Sequence, residues 1–477
     1  MYSVGLNSRY YNYNTTGSVQ TVAVKNDEQN GVKTNNCYAT SPDFGVNNFN
    51  PSFKASSLRT RFNSQEEKNK YNTILSNLDR ASKRSMKSLL KSGILLNANS
   101  NDKSTVLDNL YNIAVKERAN GLPKDIILKD TIAILNDPHI ITQQFGDIPA
   151  SMQSPLVDSY MSDNNMDKAN FMQRKMAIKD INVEHSGTCV ASSIEFNLAK
   201  KMPAEFARFV EGISSSRMAV DKTIQLKNLT DNTLDSIWLL NAFEVPFKMD
   251  NFNEARLTFA PDKNAIIRAK IQTQHRDSNE RSVVDVLMQS TLMQVGSQQT
   301  YDSLTDKRKG KFNQEEKGLI EFEKTFTESV VEDKNKISVT YQTVDDNARL
   351  IGYETDFETI KRQIADALNM GENVIIGYTQ VDVNNEIING HEITITGQKY
   401  DKDGRLVFIC NDTDDDTPHA IEYTAEYLLP KIHHAGLPQE VVKNDVKLVE
   451  NWVEGLNNYN QMKNELKNNS NSSSNLA

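Results

Sequence analysis

The sequence of this 477-residue chain predicts an α+β fold. Two observations lead to this prediction. From residue 64 to about residue 200 the apolar residues recur mostly at helical spacing, whereas after about residue 370 they form short runs and alternating segments bounded by turn residues. The length is sufficient for two or three domains of ordinary size.

Both ends of the chain have the composition of segments without a core. Residues 1–63 are rich in Asn, Ser, Thr and Tyr and show no sustained period, which predicts a disordered or loosely attached leader that contains Cys37. Residues 446–477 are rich in Asn, Lys and Ser and predict a disordered tail.

Residues 64–150 predict a small helical region. Ser64 and Glu67 form a capping-box pattern at its start, and an apolar helical pattern follows directly. Further helical patterns span 106–114 and 126–135 and end at glycine or proline signals.

The run Ser186-Gly187-Thr188-Cys189 places a thiol at the start of another helix. Val190, Ile194 and Leu198 recur at four-residue spacing, and Pro203 ends the pattern. The N-terminus of a helix favours a thiolate, and its unpaired N–H groups can hold a developing oxyanion. Cys189 is therefore interpreted as a nucleophile.

Residues of about 215–345 alternate short apolar runs with charged stretches and predict no clear arrangement. Within them, 282–288 is expected to be a buried helix or strand, and 238–240 another piece of core. The pattern becomes clear again at Asp356, which caps a helix ending near residue 369. A strand over 373–378 comes next.

A β-hairpin ends this part of the chain and carries a second set of candidate residues. Its strands lie near 390–397 and 406–410, joined by a turn rich in Asp and Gly. His391 opens the first strand, and Asn411 and Asp412 close the second, 20 and 21 residues later. Antiparallel strands bring such ends side by side, so the imidazole can meet an amide or a carboxylate. These are the base and the orienting group that a thiol nucleophile requires.

A Gly-x-Cys motif before a buried helix, followed much later by Gly-His on such a hairpin, resembles the papain-like cysteine peptidases. The bacterial double-glycine-leader peptidases are similar too. The resemblance implies a two-lobed α+β fold, in which a helical lobe presents the cysteine and an antiparallel β lobe presents the histidine. The resemblance covers about 180–425. The catalytic domain is expected to span 151–445 with an insertion within about 215–345, and 64–150 is expected to be a pro-segment or a docking module. Cys189 matches the nucleophile and His391 the general base and acid. The orienting residue matches Asn411 in the papain pattern and Asp412 in the leader-peptidase pattern, with a slight preference for Asn411.

The sequence departs from the papain-like pattern at the oxyanion hole. The family has a Gln about six residues before the cysteine, where this chain has Val183, and the nearest amide is Asn182. Either Asn182 substitutes for it or backbone N–H groups act alone. The Trp residues that commonly follow the family's cysteine and asparagine are also absent at both places.

Composition excludes several classes of function and partner. A net charge of −9 gives no support to nucleic-acid binding. Three cysteines cannot build a disulfide framework and suit a reducing compartment. His433 and His434 supply two ligands where a structural zinc needs four, so no metal site and no cofactor are expected. No signal peptide or membrane segment is recognisable, which makes the cytoplasm the default location, with signal-less export left open.

The resulting prediction is a cysteine peptidase that acts on a protein or peptide substrate. The same residues would also serve acyl transfer or deamidation. A third possibility is an inactive papain-like binding module, and the oligomeric state is left open.

Overall fold

The computed structural model describes residues 59–144, 150–181, 186–274, 280–310, 318–345, 347–414 and 419–449. Nearly all of the predicted leader and most of the predicted tail lie outside these residues, and so does Asn182.

Most of the α-helices in the described residues lie in the first two thirds of the chain. Their bounds are α1 Gln65–Ser76, α2 Arg80–Lys91, α3 Val106–Val115, α4 Lys124–Asn136, α5 Ala150–Asp163, α6 Phe171–Ile181, α7 Cys189–Lys201, α8 Pro203–Ile213, α9 Thr233–Ala242, α10 Ala265–Gln274, α11 Val283–Gly296, α12 Glu321–Glu332, α13 Phe357–Asn369, α14 Ala425–Leu428 and α15 Gln439–Val442.

The strands within the described ranges form three antiparallel sheets. Their bounds are β1 Val220–Gln225, β2 Phe247–Asn251, β3 Glu254–Phe259, β4 Lys336–Thr340, β5 Gln342–Val344, β6 Leu350–Tyr353, β7 Val374–Val381, β8 Ile387–Tyr400, β9 Leu406–Asn411, β10 Ile421–Thr424 and β11 Ile432–Pro438. The largest sheet has six strands in the order β10-β9-β8-β7-β11-β4, the second has the order β1-β3-β2, and the third pairs β5 with β6.

The mixed α+β architecture with antiparallel sheets is confirmed. Helix α1 begins after Ser64, whose side chain accepts the Glu67 N–H as a cap. Helix α7 begins at Cys189 and ends just before Pro203, and Asp356 caps α13 as expected. The segment expected to be a buried helix or strand at 282–288 is the start of helix α11, which is buried over its whole length.

Two hydrophobic cores lie on either side of the six-stranded sheet. The helical core contains buried side chains such as Ile113, Phe196 and Leu287, and it takes in Ile375 from the sheet. The sheet core lies between the opposite face of the sheet and α13–α15, and Ile376 belongs to it. Because neighbouring strand residues point to opposite faces, the sheet separates the two cores. No helix among the described residues is both long and apolar enough to span a bilayer.

Helices α1–α4 are part of the helical core and do not form a separate unit. Their buried residues belong to the same hydrophobic cluster as those of α7 and α8. A polar contact adds to this packing, since Glu205 of α8 accepts the Asn101 N–H at 2.9 Å. The same carboxylate pairs with Arg208 at 2.7 Å and Lys222 at 3.3 Å, with all three side chains nearly or completely buried.

Replacing Glu205 with glutamine is expected to destabilise the helical core by roughly 3–5 kcal/mol, because it leaves two buried cations without their anion. Burial opposes ionisation of Glu205, but the hydrogen bond from Arg208 and the charges of Lys222 and Arg208 hold its pKa below the usual value. The stabilisation is therefore complete above the ordinary glutamate pKa of about 4.3 and is lost as the pH falls through the lower folded-state value. The free energy of unfolding of the variant and of the unaltered chain is measured by urea unfolding at several pH values, followed by circular dichroism.

Glu117→Gln is the matched control, because Glu117 makes an exposed ion pair with Lys124. Exposed pairs contribute little, so this variant should unfold like the unaltered chain. Equal stability of the Glu205 and Glu117 variants near neutral pH would contradict the account of the buried cluster.

Candidate active site

Cys189 is the first residue of α7, and the rest of that helix anchors it. Cys189 is 8% exposed, while the helical residues that follow it up to Ala199 are buried. The Thr188 hydroxyl, which could cap the helix, instead donates to Gln289 Oε1 of α11 at 2.9 Å. By the geometry of an α-helix, the first N–H groups have no intrahelical acceptor. The N-terminus of α7 can therefore present N–H groups beside the thiol.

The loop before the cysteine is held from a second direction. The Gly187 N–H donates to Asp306 Oδ2 at 2.6 Å, and Tyr301 donates to the other oxygen of the same carboxylate. These contacts fix the approach of the chain to α7. The position of the Cys189 thiol is thus fixed by a hydrogen bond between the Gly187 backbone and the buried Asp306 side chain.

His391 lies on β8, and the sheet register determines which face it takes. It pairs with Tyr378 of β7, and the strand is regular from His391 to Ile395. Ile395 in turn pairs with Cys410 of β9. Since cross-strand partners share a face and residues two apart share a face, His391 and Cys410 lie on the same side. Asp412, two residues after Cys410, continues that side.

Asp412 is the residue that contacts His391. Its Oδ1 lies 2.7 Å from His391 Nε2 and also accepts the Asp414 N–H at 2.9 Å. A carboxylate accepts hydrogen bonds, so the Nε2 hydrogen of His391 points at Asp412 and leaves Nδ1 for another partner. The thiol of Cys189 lies close enough to the same ring to contribute to its raised pKa. The three side chains therefore form a thiol–imidazole–carboxylate array.

Asn411, which the sequence slightly favours as the orienting residue, contacts His139 and not His391 in this geometry. Asn411 pairs with Thr394 and so takes the opposite face of the sheet. There its Oδ1 lies 2.9 Å from His139 Nδ1, and the His139 ring packs on Phe196 of α7 at a centroid distance of 5.2 Å. Asn411 thus joins the sheet to the helical core. The physical reason is the two-residue period of a strand, which sends adjacent side chains to opposite faces.

The electrostatics of the array favour a charged histidine. Burial opposes protonation of His391, but the charge of Asp412, the hydrogen bond to Asp412 and the contact with Cys189 outweigh it and raise the pKa of His391 well above its usual value. Burial likewise opposes ionisation of Asp412, and the charge and hydrogen bond of His391 hold the pKa of Asp412 below its usual value. Imidazolium and carboxylate stabilise each other.

Two hydroxyl groups connect the Asp412 turn directly to the cysteine helix. Ser192 donates to the Cys189 carbonyl at 3.0 Å, and its oxygen lies 2.7 Å from Thr413 Oγ1. Sequence analysis did not single out either residue. The available signals were a serine three positions after the cysteine and a threonine directly after Asp412, neither of which is specific alone.

The segment that follows α4 supports the same turn from outside. The Thr413 carbonyl accepts both the Thr142 hydroxyl and the Gln143 N–H at 3.1 Å. Gln144 donates to Asp414, the residue whose N–H binds Asp412. The carboxylate is therefore positioned by contacts from residues 142–144, which sequence analysis assigned to the helical region.

A tyrosine cluster, Tyr378, Tyr423 and Tyr427, covers the face that carries His391 and Asp412. Tyr423 stacks on Tyr427 at 5.5 Å, and the Tyr378 and Tyr427 hydroxyls are 2.9 Å apart. Burial first, and then the negative charge of Asp412, raise the pKa of Tyr423. Aromatic rings at this position limit water around the imidazole–carboxylate pair, which strengthens their interaction.

Asn182, the candidate oxyanion donor, lies outside the described residues. Gln289 is a buried amide that contacts the residue before α7, but its groups are already engaged. Its Nε2 lies 2.9 Å from the Thr142 carbonyl and 3.1 Å from Glu195, and its Oε1 accepts from Thr188. Gln289 therefore positions the start of α7, and the backbone N–H groups there are the oxyanion donors that the described geometry offers.

The raised pKa of His391 predicts the pH dependence of alkylation at Cys189. An imidazolium beside the thiol attracts anionic iodoacetate relative to neutral iodoacetamide. The ratio of the two labelling rates should be high at low pH and fall as the pH rises through the pKa of His391. Asp412→Asn removes the charge that raises this pKa. The pH at which the ratio of the labelling rates falls should therefore be about 1–3 units lower in this variant. Asn411→Ala should leave the midpoint in place, and an unchanged midpoint in Asp412→Asn would contradict the assignment.

Comparisons of the chain with protein-family models, with curated proteins and with solved structures find no match. The site is therefore interpreted from its own geometry.

Proposed function

We propose that this chain is a cysteine hydrolase of papain-like type that cleaves peptide bonds. Cys189 is the nucleophile, His391 the general base and acid, and Asp412 the orienting group. The observation that carries the proposal is the 2.7 Å contact between His391 and Asp412, on a ring that also reaches the Cys189 thiol. A nucleophile, a base and a group that fixes the base are the parts that covalent acyl chemistry requires.

In the proposed reaction neutral His391 first takes the Cys189 proton, which forms the imidazolium that Asp412 stabilises. The resulting thiolate attacks the carbonyl carbon of the substrate. N–H groups at the start of α7 stabilise the oxyanion that forms. Collapse of this intermediate breaks the C–N bond, and His391 gives its proton to the leaving amine. Water, deprotonated by His391, then attacks the thioester and releases the acid and the free thiol.

The arrangement of the two cores supports the papain-like comparison. The cysteine begins a helix of the helical core, and the histidine is on the antiparallel sheet, on the face that also carries the sheet core. Helix α7 packs against β8, so the substrate-binding region proposed here lies at the junction of the two halves. The 202 residues from Cys189 to His391 accommodate the β1-β3-β2 sheet and helices α9–α12 as the inserted part.

Product analysis separates hydrolysis from its alternatives. The full chain is incubated with a complex peptide mixture, with and without added primary amine, and products are read by mass spectrometry. Hydrolysis gives paired fragments that together gain one water, acyl transfer joins the acyl fragment to the amine, and deamidation converts glutamine to glutamate without cleavage. We expect paired fragments that disappear in Cys189→Ala.

Cys410→Ala is the matched control, because Cys410 is a buried thiol whose pKa burial raises. This variant should give the same products as the unaltered chain. Transfer or deamidation products without paired fragments would replace the peptidase proposal with the corresponding alternative. A folded chain that yields no product and whose Cys189 is inert to electrophiles would show a binding module.

A further inference from the structure

A second polar cluster lies against α12, on the face of the six-stranded sheet opposite to the face that carries His391. It contains Glu321, His433 and His434, all buried, with one potential ligand atom from each lying within 4.8 Å of the other two. Glu392 of β8 completes its surroundings. The proposed hydrolase mechanism uses none of these side chains.

A β-bulge brings the two consecutive histidines to the same side of β11. In a regular strand they would point to opposite faces. The pairing of β11 with β7 runs from Ile432 opposite Tyr378 to His434 opposite Gly377, so His433 is the extra residue. Bulges of this kind redirect side chains and are frequent next to functional sites. Both imidazoles consequently face Glu321 of α12.

Gly377 makes room for one of the rings. A Cβ at this position would lie 2.2 Å from Cε1 of His434 and 2.5 Å from its Nδ1. Any larger residue would displace the imidazole. The cluster thus depends on a glycine at the centre of a row that also contains His434 and Glu392, which both pair with Gly377.

The distances within the cluster are compatible with a bound metal. Glu321 Oε1 lies 3.0 Å from His433 Nε2 and 3.6 Å from His434 Nδ1. Two ligands of a tetrahedral zinc, each about 2.0–2.1 Å from the ion, are separated by roughly 3.3 Å. His434 Nδ1 is buried and has no hydrogen-bond partner among the described residues. A cation at the centre would satisfy it.

The surrounding charges complete a metal-site pattern. Glu392 Oε1 lies 2.8 Å from His434 Nε2 without hydrogen-bond geometry. This is the place of an outer carboxylate that orients a metal-binding imidazole. The other oxygen of Glu392 lies 3.3 Å from Lys324, whose charge it balances. With neutral histidines the negative charge of Glu321 is then left for a cation.

We propose that Glu321, His433 and His434 bind a zinc-class divalent cation, with His434 oriented by Glu392 and solvent in the fourth position. A histidine pair and one carboxylate are ligands that zinc accepts. The ion would tie α12, a helix of the helical core, to β11 of the sheet. Metal binding should therefore stabilise the junction between the two halves of the fold.

The test uses the full chain carrying Cys189→Ala and His391→Ala, so that the candidate active site cannot compete for metal. The protein is purified without metal affinity, stripped with a chelator and titrated with zinc chloride against a chromogenic zinc indicator. We expect one equivalent of zinc per chain and a higher melting temperature with zinc.

Glu392→Gln should weaken zinc binding about 10- to 100-fold, as loss of an outer partner does, and Glu321→Gln should weaken it further.

Glu323→Gln is the matched control, because it changes a buried carboxylate of the same helix that pairs with Arg308. It should keep the zinc affinity. X-ray absorption of the zinc-loaded parent reads the ligands without any change to the cluster, and we expect two imidazoles with oxygen and no sulfur. A folded parent that takes up no zinc, an affinity that Glu321→Gln does not alter, or a different ligand set would overturn the proposal.

Discussion

His391→Ala is expected to reduce the reaction of Cys189 with an epoxide probe at neutral pH by at least about a hundredfold, because general-base assistance of this kind contributes about 10²- to 10⁴-fold. The variant removes both the group that accepts the thiol proton and the positive charge beside the thiolate. The measurement is the second-order labelling rate, followed by mass spectrometry on the intact chain. Added free imidazole should restore part of the rate, which a merely structural role of His391 would not allow.

His139→Ala provides the comparison for this experiment. His139 is also a partly buried histidine that contacts the end of β9, through Asn411. It is not within the array, so its replacement should leave the labelling rate nearly unchanged. Equal loss in the two variants would show that disturbance of the β9 end, and not base catalysis, explains the effect.

Asp412→Asn is expected to lower turnover of a cleaved peptide by about 10²- to 10⁴-fold, since loss of the orienting carboxylate has effects of this size in related triads. The amide can still occupy the position but cannot stabilise the imidazolium by charge. Turnover is measured as kcat/KM on a peptide identified by product analysis. The melting temperature of the variant establishes that the fold is retained.

Asn411→Ala separates the two candidates for the orienting role. Its amide contacts His139 on the other face of the sheet, so we expect a loss of stability with turnover reduced only a few-fold. The opposite result, a large loss of turnover in Asn411→Ala and a small one in Asp412→Asn, would restore the papain pattern and contradict the geometry described here.

The hairpin and the cysteine helix were predictable because their signals are local. Alternating residues, an Asp-Gly turn and a capping residue each act within a few positions, and the structure has the elements where they were expected. Even the choice between Asn411 and Asp412 depends on local parity. To make this choice one must know which face of the sheet His391 takes. The register between the strands determines that face, and a sequence pattern alone does not.

The remaining parts depend on contacts between distant segments. Ser192 meets Thr413 across 221 positions, and His433 meets Glu321 across 112. A single sequence contains no signal for such pairs. For this reason the sequence gives only ligands close in sequence to His433 and His434, and Glu321 is not among them. The bulge that turns both imidazole rings to one side of β11 also has no recognisable sequence signal.

The role of residues 64–150 also depends on tertiary contacts. Helices α1–α4 share the buried core of α7, and residues 142–144 hold the turn after Asp412. These contacts favour an integral part of the fold over a removable pro-segment. The apolar periodicity of the region predicted its helices but not the surface on which they pack.

The most direct test of the account is the position at which an epoxide or iodoacetamide probe labels the folded chain. Digestion and mass spectrometry locate the adduct among Cys37, Cys189 and Cys410. Rapid labelling is expected at Cys189, and Cys189→Ala should abolish it. Labelling mainly at Cys37 or Cys410, with Cys189 inert, would contradict the assignment of Cys189 as the nucleophile.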